Sequence, residues 1–161
     1  MSQKSLAAAL VGLLLCGGSE TALADTIGRY ECNVVGSNAP EPLGDRTGHG
    51  LVSYQFSCVG VDGLLKGAVY SAVHISEWDG TEGKFLMAGG VHRMTGGTAV
   101  THMQEGTGSI IIQDGKPVGT SSSGTAIFNL GSGSLSSLSG KPVKFKSKSL
   151  GYARFMLEFE D

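Results

Sequence analysis

Three side chains that could bind a ligand or transfer a proton share one face of a predicted strand: Tyr70, His74 and Trp78. They alternate with small residues, and alternate residues of a strand point to the same side. Imidazoles titrate near neutral pH, and aromatic rings commonly line ligand pockets. If this face points inward, it forms a cavity wall, and His74 is the best candidate for a catalytic acid or base. If it points outward, the aliphatic residues of the other parity fill the core instead: Val69, Val73 and Ile75.

A second group of side chains could hold a soft metal ion. It consists of His92, Met94 and Met103. One imidazole and two thioethers suit Cu(I). The alternative is that both methionines pack in the interior and His92 is a hydrogen-bonded polar group. No further convergent ligand can be identified, so the sequence predicts neither a metal nor a cofactor.

The arrangement of that second group depends on the register of one hairpin. If Gly96-Gly97 is a two-residue turn, Thr101 lies opposite His92. The three candidate ligands then share one face, and His102 points to the other. An error of one residue would bring both histidines onto the same face.

Several function classes lack their sequence signals. The formal net charge is −2 and there is no Lys/Arg-rich block, so nucleic acid is not an expected partner. The chain has no G-x-S-x-G motif. The Gly-Thr-Gly-Ser run at 106–109 lacks the Lys-Ser/Thr ending of a phosphate-binding loop. The reaction class therefore cannot be read from motifs.

Turn signals recur along the chain at intervals of about 17 residues, which suits successive hairpins. These signals are Asp45-Arg46, Asp62-Gly63, Asp79-Gly80, Gly96-Gly97, Asp114-Gly115 and Gly131-Ser132. The segments between them are rich in strand-forming residues, and no long apolar stripe of helical period follows the first 24 residues. The predicted strands cover residues 27–35, 48–61, 65–78, 83–94, 98–113, 117–130, 141–149 and 152–160. The long strand 98–113 is expected to bulge or bend sharply at Gly106 and Gly108, and the preceding one at Gly89-Gly90.

These elements predict an all-β protein with one domain over residues 25–161. Closing an eight-stranded antiparallel meander into an up-and-down barrel removes its two unpaired edges. The interior of such a barrel is either filled by side chains or holds one small ligand. A transmembrane barrel would need aromatic girdles at its strand ends, and the aromatic residues do not recur there. We therefore expect a water-soluble barrel with no transmembrane segment after leader removal.

The first 24 residues resemble a secretory signal. Lys4 provides a positive start, Leu6 to Cys16 form an apolar run too short to span a bilayer, and Ala22-Leu23-Ala24 is a cleavage site. We therefore predict export to the periplasm or the extracellular space. The mature chain should begin at Asp25. Intact-mass measurement of the exported protein checks this, and a retained leader or a lipid on Cys16 would contradict it.

Export changes the meaning of the two cysteines that remain. Cys32 and Cys58 form an even pair, which in an oxidising compartment predicts one disulfide. The alternative is a pair of metal thiolates, but no C-x-x-C or Cys/His spacing supports it.

One segment carries a family resemblance. Residues 131–140 read GSGSLSSLSG, which resembles the G-x-G-x-[FL]-x-x-[LI]-x-G segment of allene-oxide-cyclase-like and dirigent-like β-barrels. The resemblance implies an eight-stranded barrel in which this segment links two late strands. Plant members are cyclases or guides of radical coupling, but none of their catalytic motifs can be placed on this chain. An ordinary Ser/Gly loop is the alternative explanation of the segment.

Three functions are consistent with these observations. The first is an exported binding protein that takes a small, partly apolar ligand in the barrel. The second is an enzyme of the cyclase or isomerase type, with His74 as acid or base and Tyr70 beside it. The third is a packed structural barrel that acts through its surface. The sequence leaves the ligand and the oligomeric state open.

Overall fold

The fold is described by a computed structural model over residues 26–36 and 39–161. The predicted leader and its cleavage site lie outside the described residues. Within them, no helix is long and apolar enough to cross a membrane.

Nine strands and one short helix make up the described chain. They are β1 (Thr26–Val35), β2 (Glu41–Pro42), β3 (His49–Gly63), β4 (Val69–Asp79), β5 (Glu82–Met94), β6 (Gly97–Gln113), β7 (Lys116–Gly133), a 3₁₀ helix (Ser136–Leu138), β8 (Lys141–Gly151) and β9 (Arg154–Glu160). The eight long strands correspond to the eight predicted ones. The additional strand, β2, lies in the connection between β1 and β3.

The long strands form a closed antiparallel barrel, as predicted. Each pairs with its neighbour in sequence, β1 also pairs with β9, and β2 adds to the start of β3. Closure leaves none of the long strands at a free edge, where unpaired N–H and C=O groups would invite aggregation. Because side chains alternate across each strand, one parity of every strand lines the barrel interior.

One end of the barrel is plugged by leucines. Leu65 follows β3, Leu135 precedes the short helix and Leu138 is its last residue; all three are buried. The two last-named residues are the apolar positions of the GSGSLSSLSG segment, so that segment closes the barrel. A layer of interior rings lies next to the plug: Tyr30, Tyr70, His92, Phe128 and Phe159. The opposite end is open.

The glycines of β6 differ from their predicted role. The register of β6 against β7 shifts between Met103 and Glu105, whereas Gly106 and Gly108 are paired in the ladder. A Cβ at Gly106 would lie 2.9 Å from Cζ of Phe145. These glycines therefore make room for interior rings, and the bulge occurs just before them.

The two adjacent glycines of β5 also lie within regular strand pairing, on both sides of the strand. Gly89 and Gly90 contact β4 and β6 in register, and the irregularity of β5 falls at Leu86, between Phe85 and Met87. The predicted bulge at Gly89-Gly90 is therefore absent. Any side chain at Gly90 would lie 2.2 Å from the carbonyl oxygen of Ser71, so the close approach of β4 explains this glycine.

The β5–β6 hairpin turns one residue earlier than predicted, which moves each residue's cross-strand partner by two positions. Thr95-Gly96 form the turn, and His92 lies opposite Ala99 instead of Thr101. Gly96 has a φ of 79°, a conformation that glycine adopts without strain. A shift of two positions leaves each side chain on the face that was predicted for it. His92 points inward and His102 is exposed on the outer wall.

Candidate functional site

The open end of the barrel leads into a cavity of about 910 Å³, which we call the cup. A smaller cavity of about 60 Å³ lies beneath it and shares several lining residues with it. The residues that line both cavities are Tyr54, His74, Phe85, Ser122, Ser147 and Phe155. The interior is thus partly hollow, with its free volume at the end opposite the leucine plug.

Strand β4 presents its ring-bearing face to the interior. Tyr70 and His74 are buried and Trp78 is half-buried, whereas Val69 and Val73 are 44% and 40% exposed. The more apolar parity therefore faces outward. This places His74 and Trp78 on the cup wall, one of the two arrangements that the sequence allowed.

An aromatic wall is built from β3, β4 and β5. The ring of Tyr54 stacks on that of His74 with centroids 4.7 Å apart, and Phe85 meets His74 edge-on at 4.3 Å. Trp78 lies above them across from Gly83, where a Cβ would come within 2.6 Å of the indole ring. Glycine at that position is what allows the indole to lie flat against the strand.

The imidazole of His74 is neutral at pH 7. Burial lowers its pKa to about 4. Its Nε2 lies 2.7 Å from the hydroxyl of Ser76, which also accepts a hydrogen bond from Nε1 of Trp78 at 2.8 Å. These contacts fix the orientation of both rings.

Two polar atoms of this wall are left for a ligand. Nδ1 of His74 and the hydroxyl of Tyr54 make no hydrogen bond within the described part of the chain. No fully buried side-chain nitrogen or oxygen of those residues lacks a partner. Both atoms are therefore open to the cavity.

The wall facing these rings carries hydroxyl groups. Ser122 on β7 and Ser147 on β8 lie within 2.6 Å of each other, and nearer the mouth Thr120 and Ser149 are 3.0 Å apart. Each of these hydroxyls keeps further donor or acceptor capacity. The cup therefore has one aromatic side and one hydroxyl side.

Charged side chains are confined to the rim of the cup. Among the described residues that line it, only Arg46, His49 and Arg154 are basic at the rim, and none is acidic. Arg46 is already paired with Asp45 and Asp79. Below the rim, a charged ligand would meet no counter-charge, and burying an unpaired ion is costly.

Tyr70 lies deeper than the cup. Its ring stacks on His92 with centroids 3.9 Å apart, and its hydroxyl accepts a hydrogen bond from Thr101 at 3.0 Å. It lines only the small cavity. Tyr70 and His74 thus belong to separate hydrogen-bond groups, and His74 has no carboxylate among its described hydrogen-bond partners.

His92 is the centre of a buried polar network. Its Nδ1 lies 2.7 Å from the hydroxyl of Tyr30 and its Nε2 lies 2.8 Å from that of Thr101. Burial lowers its pKa to about 3. Met103 is buried nearby and Met94 packs against the same core, as the parity predicted, but both ring nitrogens of His92 are already hydrogen-bonded.

Within the described ranges, no cluster of three or more His, Cys, Asp or Glu residues could hold a metal ion. Cys32 and Cys58 lie opposite each other on β1 and β3 and form a disulfide. Comparisons of the chain with protein-family models, with curated proteins and with solved structures found no match. The candidate site is therefore defined by its geometry.

Sequence reasoning missed several residues of the cup. Tyr54, Phe85, Ser122 and Ser147 were not singled out. Tyr54 alternates in step with Phe56 and Cys58 on β3, and this shared face could have indicated that its ring points inward. Ser147 shares its parity with Val143 and Phe145 on β8, which was a signal of the same kind. Ser122 gave no signal, because serines of both parities follow one another in β7.

Proposed function

We propose that the protein binds a small, uncharged, partly apolar molecule in the cup. The observation that carries the proposal is the cup itself, which is open at one end, hollow, and lined by rings on one side and hydroxyls on the other. Ligand pockets typically measure about 300–1,000 Å³ and combine apolar walls with a few convergent polar groups. The cup, at about 910 Å³, is of this kind.

The two walls indicate how such a ligand is oriented. An aromatic or alicyclic ring packs against Tyr54 and Trp78, where ring contacts add to burial. Hydroxyl or carbonyl groups of the ligand reach Nδ1 of His74 on one side and the Ser122–Ser147 pair on the other. The absence of charge below the rim favours a neutral molecule over an acid or an amine.

Export and family membership belong to the same proposal. The Cys32–Cys58 disulfide is compatible with an oxidising compartment, and we infer that the barrel acts outside the cytoplasm. The GSGSLSSLSG segment supports placement among the allene-oxide-cyclase-like barrels. That placement assigns no reaction, because fold and activity are separable.

The proposal predicts saturable binding of 2-naphthol, a neutral ring with one hydroxyl. Binding should shift the indole N–H NMR signal of Trp78, the single tryptophan, and calorimetry should give one site per chain. The anion 2-naphthoate has a similar shape and should bind at least about tenfold more weakly, because its charge would be buried unpaired. Equal affinity for the two probes would contradict the uncharged class but leave binding intact.

A matched pair of variants tests whether the ligand binds in the cup. Ser122→Leu fills the cup from β7, and we expect it to weaken 2-naphthol binding by about tenfold or more. Ser123→Leu makes the same change at the adjacent exposed position on the outer side and should leave affinity unchanged. Thermal melting confirms that both variants fold. Equal effects of the two substitutions, or no binding by the parent protein, would reject the cup as the site.

A further inference from the structure

Residues 39–48, which we call the strap, lie at the mouth of the cup. Several of its residues line the cup: Pro40, Pro42, Gly44, Arg46, Thr47 and Gly48. Every residue of the strap is exposed. Apolar burial therefore contributes little to holding it in place, and its position depends on polar contacts.

The outer half of the strap is held by two basic side chains. His49, at the start of β3, lies between Asp45 of the strap and Glu77 of β4: Nδ1 is 2.6 Å from Asp45 Oδ1, and Nε2 is 2.8 Å from Glu77 Oε1. Arg46 reaches Asp79 at 2.7 Å. A backbone bond joins Gly80 N–H to the carbonyl of Gly48 at 3.0 Å. The first half of the strap is attached separately, by the pairing of β2 with β3 and by a bond from Leu43 N–H to the carbonyl of His49.

The geometry at His49 requires a protonated ring. A neutral imidazole has one N–H group, so it can donate to only one carboxylate, and its other nitrogen would face a carboxylate oxygen with a lone pair. Only the imidazolium donates from both nitrogens. Loss of the proton therefore turns one of the two contacts from attractive to repulsive.

The surrounding charges act in the same direction. The groups that face His49 are Asp45 and Arg46 from the strap and Glu77 and Asp79 from β4. With the ring protonated, three carboxylates face two cations; without that proton, only Arg46 remains to balance them. The hydrogen bonds to Asp45 and Glu77 raise the pKa of His49 above 6.5, and Arg46 partly opposes this.

We propose that His49 is a pH-sensitive latch that holds the strap at the rim of the cup when protonated and releases it when neutral. The latch is a property of the free protein, and only its consequence, control of ligand passage, rests on the proposed function. Because the folded protein binds the proton more tightly than the unfolded chain, the latch is complete below about pH 6.5. It is lost as the pH rises through the pKa of the folded state.

The amide of Gly80 reports the state of the strap, since it donates to the strap carbonyl of Gly48. Hydrogen exchange measured by NMR without ligand, corrected for the intrinsic effect of pH, should show at least about tenfold higher protection at pH 6 than at pH 9. In His49→Gln the protection should be low and independent of pH. His102→Gln, on the outer wall, should behave as the parent protein does.

The parent protein also provides a test that does not depend on a variant folding. The ring protons of His49 should titrate with a midpoint above 6.5. A midpoint at or below that value, or Gly80 protection that does not change with pH, would overturn the latch. Retention of the pH dependence in His49→Gln would do the same.

The latch and the proposed function fail in different ways. If no probe enters the cup, the exchange result still stands. If Gly80 is insensitive to pH while 2-naphthol still binds, the latch alone is wrong. If both hold, the association rate of 2-naphthol should rise by about tenfold from pH 6 to pH 9 in the parent protein and not in His49→Gln.

Discussion

Reduction of the Cys32–Cys58 disulfide is expected to lower the free energy of unfolding by about 3–4 kcal/mol. The bond closes a loop of 26 residues in the unfolded chain, and the loss of chain entropy in that state accounts for a stabilisation of this size. The cross-link joins β1 to β3, which are separated by the long connection containing the strap. The other long strands that follow one another in the sequence are joined by shorter turns, so their pairing costs less closure entropy.

Urea unfolding with and without reductant measures the effect, with the Cys32→Ser/Cys58→Ser variant as a check on side reactions. Hydrogen exchange should show β1 losing protection before the β6–β7 hairpin. Two titratable thiols in the oxidised, unfolded protein would show that the bond does not form. If no thiol titrates but reduction leaves the stability unchanged, the disulfide forms and does not stabilise the fold.

Acidification from pH 7 to pH 5 is expected to destabilise the barrel by about 2 kcal/mol for each of its two neutral interior histidines. Burial lowers the pKa of His74 to about 4 and that of His92 to about 3. In the unfolded chain both rings take up a proton near pH 6.5, whereas in the folded protein they remain neutral at pH 5. The unfolded state therefore binds more protons, and stability falls as the pH decreases through this window.

His49 offsets only part of this loss, because its stabilising contribution grows between pH 7 and about pH 6.5 and is complete below that. Urea unfolding of the oxidised protein at pH 7 and pH 5 gives the difference. His74→Gln should remove about half of the loss, because Gln does not titrate. His102→Gln, which changes an exposed ring, should retain all of it. Equal stability of the parent protein at the two pH values would show that the buried rings are not held neutral.

The consequence for function is a cup whose chemistry is constant over the physiological range. His74 neither gains nor loses a proton between pH 5 and pH 8, so Nδ1 presents the same neutral ring to a ligand throughout. Among the residues that line the cup, His49 at the rim has a pKa raised above 6.5. On the two proposals made above, recognition in the interior and access at the mouth would be controlled by different residues.

Local chemistry allowed the strand plan to be predicted from the sequence. Asp-Gly and Gly-Gly pairs between strand-like segments favour tight turns, and alternation of residue types marks strands without reference to the rest of the chain. The recurrence of these signals was enough to predict the number of long strands and their closure into a barrel. The pairing of Cys32 with Cys58 also followed, because the described strands contain no other cysteine.

The inward face of β4 could not be decided in this way. Its two parities, Tyr70/His74/Trp78 and Val69/Val73, are both apolar enough to be buried, and alternation alone does not distinguish inside from outside. The surrounding strands decide it. Glycine at 83 accommodates the indole, and Ser76, buried between His74 and Trp78, satisfies their polar atoms.

Other features depended on contacts between residues far apart in sequence. His92 is held by Tyr30, 62 positions earlier, and His49 is bridged to Glu77 from 28 positions away. No local pattern encodes such pairs, because they form only when barrel closure brings separate strands together. The number of long strands and the cysteine pairing were therefore determined by the sequence itself. The hollow end, the neutral histidines and the charged strap were decided by tertiary structure, which sets burial and the partners of each ionisable group.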